Sequence, residues 1–198
     1  VIGGSAQNEG NTISGNAIGL RIEGALTTTV SANIIGLDRA GGAPLPNADY
    51  GMLVLGGSRG TQIGGTTPDS RNVISSNGTV PGPITPYGYG IAIQEAGTAD
   101  TLVQGNIIGL DAMGTQPRGN LRQGVLVADG AVRTVIGGET GDAGNLIADN
   151  GRGGIRATVP VTISGNLIGF AIDGVTARGN QLSGVRLDGA DALVGPGN

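Results

Sequence analysis

Six times along this chain a glycine is followed by an apolar residue, a variable residue and a second apolar residue. The copies are Gly19-Leu20-Arg21-Ile22, Gly51-Met52-Leu53-Val54, Gly90-Ile91-Ala92-Ile93, Gly124-Val125-Leu126-Val127, Gly154-Ile155-Arg156-Ala157 and Gly184-Val185-Arg186-Leu187. Their intervals of 32, 39, 34, 30 and 30 residues mark a repeat architecture. A second element, two apolar or Thr residues and two small or polar residues before an Asn, ends at Asn16, Asn33, Asn77, Asn106, Asn150 and Asn166. Two kinds of coil alternate. One carries a fourteen-residue loop, at 34–47, 107–120 and 167–180. The other carries Ile-Gly-Gly, beginning at Ile2, Ile63 and Ile136, and Leu193-Val194-Gly195-Pro196 reads as the start of a fourth.

Each apolar run is short, rich in Val and Ile, and bounded by Gly, Asn, Ser or Pro, which is a strand signal. A strand this short cannot bury its face alone. Stacked coil upon coil at about 4.8 Å, equivalent Ile and Val residues close a continuous core, and parallel neighbours satisfy the backbone. Only 2% of residues are aromatic against 38% hydrophobic, so that core is aliphatic. Gly at 41 of 198 without a three-residue period excludes collagen, and the ordered recurrence of Ile and Val argues against disorder. The pattern predicts an all-β chain: a right-handed single-stranded parallel β-helix of about six to seven coils. Residues 1–198 read as one β-helix repeat domain, part of a longer array. Leu20 and Ile22 should point inward and Arg21 outward. The six Asn residues should stack at one corner, where Asn tolerates left-handed backbone and its side chains bond along the axis.

The stretch Gly105-Asn106-Ile107-Ile108-Gly109-Leu110-Asp111-Ala112-Met113-Gly114, and Ile136-Gly137-Gly138 followed by Gly144-Asn145-Leu146-Ile147, resemble the repeats of bacterial extracellular proteins of the pectin-lyase-like superfamily. The resemblance covers essentially the whole chain. It implies the β-helix fold and a secreted or cell-surface location. It leaves function open, because the family spans pectate lyases, polygalacturonases, mannuronan epimerases, phage tailspikes and adhesins.

The chain has no His and no Cys, which removes the commonest general base, the epimerase motif of the family and thiolate chemistry. Net charge is −4 and the 11 bases are all Arg without clustering, so a nucleic-acid partner is not expected. No membrane-inserting segment is visible. Glycoside hydrolysis needs two carboxylates about 5–10 Å apart, whereas the acids here are dispersed. The expected function is a structural or adhesive β-solenoid segment, a spacer, stalk or self-stacking fibre, without catalysis. The alternative is a carbohydrate-binding or polysaccharide-processing β-helix, of lyase or glycoside-hydrolase type if it is an enzyme.

Four places carry candidate chemistry. Asp38 and Asp111 hold the same place in two long loops; they are calcium candidates, but one Asp per loop falls short of six to eight oxygens, and an Asx cap is the favoured reading. No other cofactor is expected. The outward column of the recurring strand reads Arg21, Leu53, Ala92, Leu126, Arg156, Arg186, and the pair Arg156 and Arg186 could grip an acidic sugar or stand as solvated surface charge. The Pro-rich insertion from Gly78 to Tyr89 brings Tyr87 and Tyr89, whose faces suit a glycan or cell-surface partner. The chain begins and stops inside coils, which leaves end-to-end self-association as a further expectation.

Overall fold

The computed structural model describes residues 1–4, 9–79, 87–189 and 191–198. Each coil contributes three strands. The first coil holds β1 (Ile2–Gly3), β2 (Thr12–Ile13) and β3 (Ile18–Glu23); the second holds β4 (Thr29–Ser31), β5 (Ile34–Ile35) and β6 (Tyr50–Leu55). In the third are β7 (Gln62–Gly64), β8 (Val73–Ile74) and β9 (Tyr89–Ile93), and in the fourth β10 (Leu102–Gln104), β11 (Ile107–Ile108) and β12 (Gln123–Val127). The fifth has β13 (Thr134–Gly137), β14 (Leu146–Ile147) and β15 (Gly153–Ala157). The sixth has β16 (Val161–Ser164), β17 (Leu167–Ile168) and β18 (Ser183–Leu187), and β19 (Leu193–Val194) opens a seventh.

Every third strand joins the same sheet, so the chain forms three sheets in which all ladder pairings are parallel. This is a right-handed parallel β-helix of six complete coils. Sheet 1 runs from β1 to β19, sheet 2 from β2 to β17 and sheet 3 from β3 to β18. The register confirms the outward column residue by residue: Arg21 pairs Leu53, Leu53 pairs Ala92, Ala92 pairs Leu126, Leu126 pairs Arg156 and Arg156 pairs Arg186. The residues on either side of this column, such as Met52, Val54, Ile91, Ile93, Val125 and Val127, are buried in one aliphatic core that includes Ile22 and takes Leu20 against its edge. Burying each such side chain contributes about 1.5–3 kcal/mol.

The glycine that opens the recurring element has a steric cause. A Cβ on Gly51 would lie 2.6 Å from Gly90 O and 2.7 Å from Asn77 Nδ2. The backbone therefore presses against the next coil and a buried Asn at this point, and only Gly fits.

Asparagine forms two ladders rather than one. The first, between sheets 1 and 2, runs Asn11, Asn33, Asn72, Asn106, Asn145, Asn166, Asn198. The second, between sheets 2 and 3, runs Asn16, Asn47, Asn77, Asn120, Asn150, Asn180. Asn33, Asn106 and Asn166 thus belong to one corner and Asn16, Asn77 and Asn150 to the other. The expectation of a single corner is corrected, because one five-residue pattern serves sheet 1 in even coils and sheet 2 in odd coils.

Each interior ladder Asn ties three coils together. Asn106 donates from its backbone N and its Nδ2 to Asn145 Oδ1 above, at 3.0 and 2.9 Å. The same Nδ2 reaches back to Ile63 O at 2.9 Å and across to Gln104 O at 2.9 Å. From below, its Oδ1 accepts Asn72 N and Nδ2 at 3.3 and 2.9 Å. These amides are fully buried, so the ladder replaces water for every group that the turn would otherwise strand.

The alternation of coils is spatial as well as sequential. The third and fifth coils make an excursion before the first ladder, with nine steps from Ile63 to Asn72 and from Ile136 to Asn145, and a turn of 3₁₀ helix at Pro68–Ser70 or Gly141–Ala143. Even coils make theirs before the second ladder. The seventh coil departs from the expected fourth Ile-Gly-Gly turn: Val194 leads to Asn198 within four residues, and Asn198 Oδ1 accepts Asn166 Nδ2 at 3.0 Å.

Removing one ladder amide leaves several buried donors and acceptors without partners, each costing about 1–3 kcal/mol. Asn106→Ala is expected to destabilise the fold by about 3–5 kcal/mol in chemical denaturation. Asn16→Ala, at an exposed position in the first coil, is expected to cost about 1 kcal/mol or less.

Candidate functional site

All three tyrosines of the chain meet on the outer face of sheet 3. Tyr50 and Tyr89 are register partners on β6 and β9, and their rings stack at 5.8 Å with an interplanar angle of 17°. Tyr87 meets the Tyr50 ring edge-on at 5.4 Å, and the Arg122 guanidinium lies 5.8 Å from the centre of the Tyr89 ring. Tyr87 is 40% exposed whereas Tyr89 is buried. Gln123, at the start of the neighbouring strand β12, is also buried, and its Oε1 has no hydrogen-bond partner. Burial pushes the Tyr50 hydroxyl up to about 12, with Tyr87, Tyr89 and Asp49 adding to the effect. Pro81, Pro83 and Pro86 of the insertion lie outside the described residues.

Arg156 and Arg186 do come together, but Asp188 stands between them. Arg156 Nε reaches Asp188 Oδ2 at 2.7 Å and Arg186 Nε reaches Oδ1 at 2.7 Å. Hydrogen bonds from Arg186 and Arg156 hold the Asp188 carboxyl below its ordinary value. An acidic ligand at this pair has to displace Asp188.

Asp38 and Asp111 each cap their own loop. Asp38 Oδ1 accepts Gly42 N and Ala43 N at 2.8 and 2.9 Å, and Asp111 Oδ1 accepts Thr115 N and Gln116 N at 2.7 and 3.0 Å. Asp173 does the same in the third loop through Val175 N and Thr176 N. The Thr176 hydroxyl and these amides lower the Asp173 carboxyl to about 2. Among the described residues no group of three or more His, Cys, Asp or Glu is placed to hold a metal ion.

The long loops stack on one another across the intervening coil. Ala112 N donates to Gly41 O and Ile172 N to Gly114 O, both at 2.9 Å. Two side chains fasten this second tier: Arg118 Nε donates to Gly42 O and Arg178 Nε to Thr115 O. Neither Arg was singled out from sequence, although Arg118-Gly119-Asn120 and Arg178-Gly179-Asn180 repeat the same triplet at the ends of two loops. Tyr50 was also missed, because it meets Tyr87 and Tyr89 only when coils two and three stack.

No protein-family model, curated protein or solved structure matches the chain.

The tyrosine cluster has a pH signature. The neutral form of Tyr50 contributes stability that is fully present below pH 10, the ordinary value for Tyr, and is lost as pH rises towards about 12. Ultraviolet titration of the folded chain is expected to show a late tyrosine step near pH 12, and Tyr50→Phe should remove it. A folded-state titration with no step above pH 10 contradicts the packing described for Tyr50.

Proposed function

We propose that this chain is a non-catalytic, structural or adhesive segment of β-solenoid in a secreted or cell-surface bacterial protein, acting as a spacer, stalk or self-stacking fibre. The observation that carries this reading is the pair of buried Asn ladders running through every coil beside a continuous aliphatic core. Such a stack lengthens by about 4.8 Å per coil, so six coils extend about 3 nm, and resists bending because each interior ladder amide spans three coils. The resemblance of its repeats to the extracellular arrays of the pectin-lyase-like superfamily supports the location. Several polar side chains that could have formed a site are engaged internally: Asp38, Asp111 and Asp173 in their loops, and Arg156 and Arg186 on Asp188.

A second reading has one observation in its favour. The exposed Tyr87 ring, packed edge-on against Tyr50 beside the Tyr50–Tyr89 stack, offers an aromatic surface of the kind that holds a sugar ring. One experiment separates the readings. The purified chain is imaged by negative stain, sized by light scattering, and incubated with neutral and acidic polysaccharides while reducing and unsaturated ends are assayed. Rods or uniform-width filaments without sugar release are the expected result. Release of sugar ends overturns the non-catalytic reading. Binding without release that is lost in Tyr87→Ala moves the assignment to a glycan-binding segment.

A further inference from the structure

We propose that Asn77 and Asn150 are deamidation sites held shut by the second ladder, so that unfolding triggers an irreversible chemical loss of the fold. Asn77-Gly78 and Asn150-Gly151 are the two Asn-Gly steps in the sequence. Glycine has no side chain to hinder its own amide nitrogen, so this nitrogen can attack the Asn Cγ. A bond forms between Gly N and Cγ, the Cγ–Nδ2 bond breaks, and ammonia leaves with the proton from the glycine N–H. Water then opens the five-membered imide to aspartate or isoaspartate.

Both steps sit in the most protected part of the molecule. Asn77 and Asn150 are completely buried. The attacking nitrogens are tied to the preceding coil: Gly78 N donates to Asn47 O at 2.8 Å and Gly151 N to Asn120 O at 2.8 Å. The leaving amides are held as firmly. Asn77 Nδ2 donates to Asn120 Oδ1, Ser75 O and Ile35 O at 2.9, 3.1 and 3.3 Å. Asn150 Nδ2 donates to Asn180 Oδ1, Ala148 O and Ile108 O at 3.0, 3.0 and 3.3 Å. Cyclisation requires these bonds to break and the Asn side chain to turn onto its own backbone.

The packing explains why the glycines are there. Gly78 has φ of +100°, and a Cβ on it would lie 2.5 Å from Leu121 Cβ; a Cβ on Gly151 would strike Leu121 O. Close stacking therefore demands the residue that makes the step reactive. The first ladder carries no such liability, since Asn33, Asn72, Asn106, Asn145 and Asn166 precede Ile34, Val73, Ile107, Leu146 and Leu167.

The product cannot return to the stack. A carboxylate at position 77 donates nothing to Ser75 O or Ile35 O and sets negative charge against them in a buried site. Isoaspartate also adds a backbone atom and shifts the register of the strand that follows.

The wild-type chain is incubated at mildly alkaline pH, folded or in denaturant, then digested and analysed by mass spectrometry; parallel samples are returned to native buffer. In denaturant, Asn77 and Asn150 are expected to convert ahead of every first-ladder Asn. In the folded chain their conversion should slow by about tenfold or more, as expected for groups that react only after opening. The refolded fraction should fall in step with modification. Equal rates in the two states, or full refolding of the modified chain, overturn the proposal. So does an Asn77→Asp variant that melts with the wild type, with Asn16→Asp at the exposed position in the first coil as the tolerated comparison.

Discussion

A coil that turns three times per circuit has to settle the backbone groups it strands at each bend, and at two of the three corners those groups are buried away from water. Asparagine solves this because one side chain is at once two donors and an acceptor. In this fold its Oδ1 takes a backbone N–H and a side-chain N–H from the coil before, while its Nδ2 bonds forward to the next Asn and back to a strand carbonyl. The strands supply much of the buried apolar surface, but two to six residues of strand per side would not fix a register without these corners. The ladders couple the sheets to one another and make the coil, rather than the strand, the unit that repeats.

That constraint shapes everything outside it. The excursions enter at the ladders, at the first ladder in the third and fifth coils and at the second ladder in the even ones. The fourteen-residue loops then lie two coils apart and join through Gly41, Ala112, Gly114 and Ile172, with Arg118 and Arg178 closing the gap. The Asp caps at Asp38, Asp111 and Asp173 keep each loop in the shape that allows this. Charge on the outer face follows the same economy: Asp188 serves two arginines from adjacent coils.

Much of this was legible in the residues, for physical reasons. Alternation is strict on a strand, so the glycine-led element places Leu53, Ala92 and Leu126 in one column and Ile22, Val54 and Ile93 in the core. The Asn pattern was legible as a ladder but not as two, because local sequence around Asn33 and Asn77 is alike while the corners they occupy differ. Asn47, Asn72, Asn120 and Asn145 were hidden behind the excursions that precede them. Asp188 was within reach: it lies two residues after Arg186, on the same outward face. The tyrosine cluster was half visible, since Tyr50 belongs to it only through the contact of coils two and three.

The most direct test of the central claim is hydrogen exchange, followed by NMR, at the backbone and side-chain amides of Asn72, Asn106 and Asn120. If the ladders hold the stack, these protons exchange as slowly as the amides of core strands such as Val125 and Ile91. Exchange at the rate of an exposed loop amide such as that of Met113 would mean that the corners are open to water, and that the sheets alone hold the coils together.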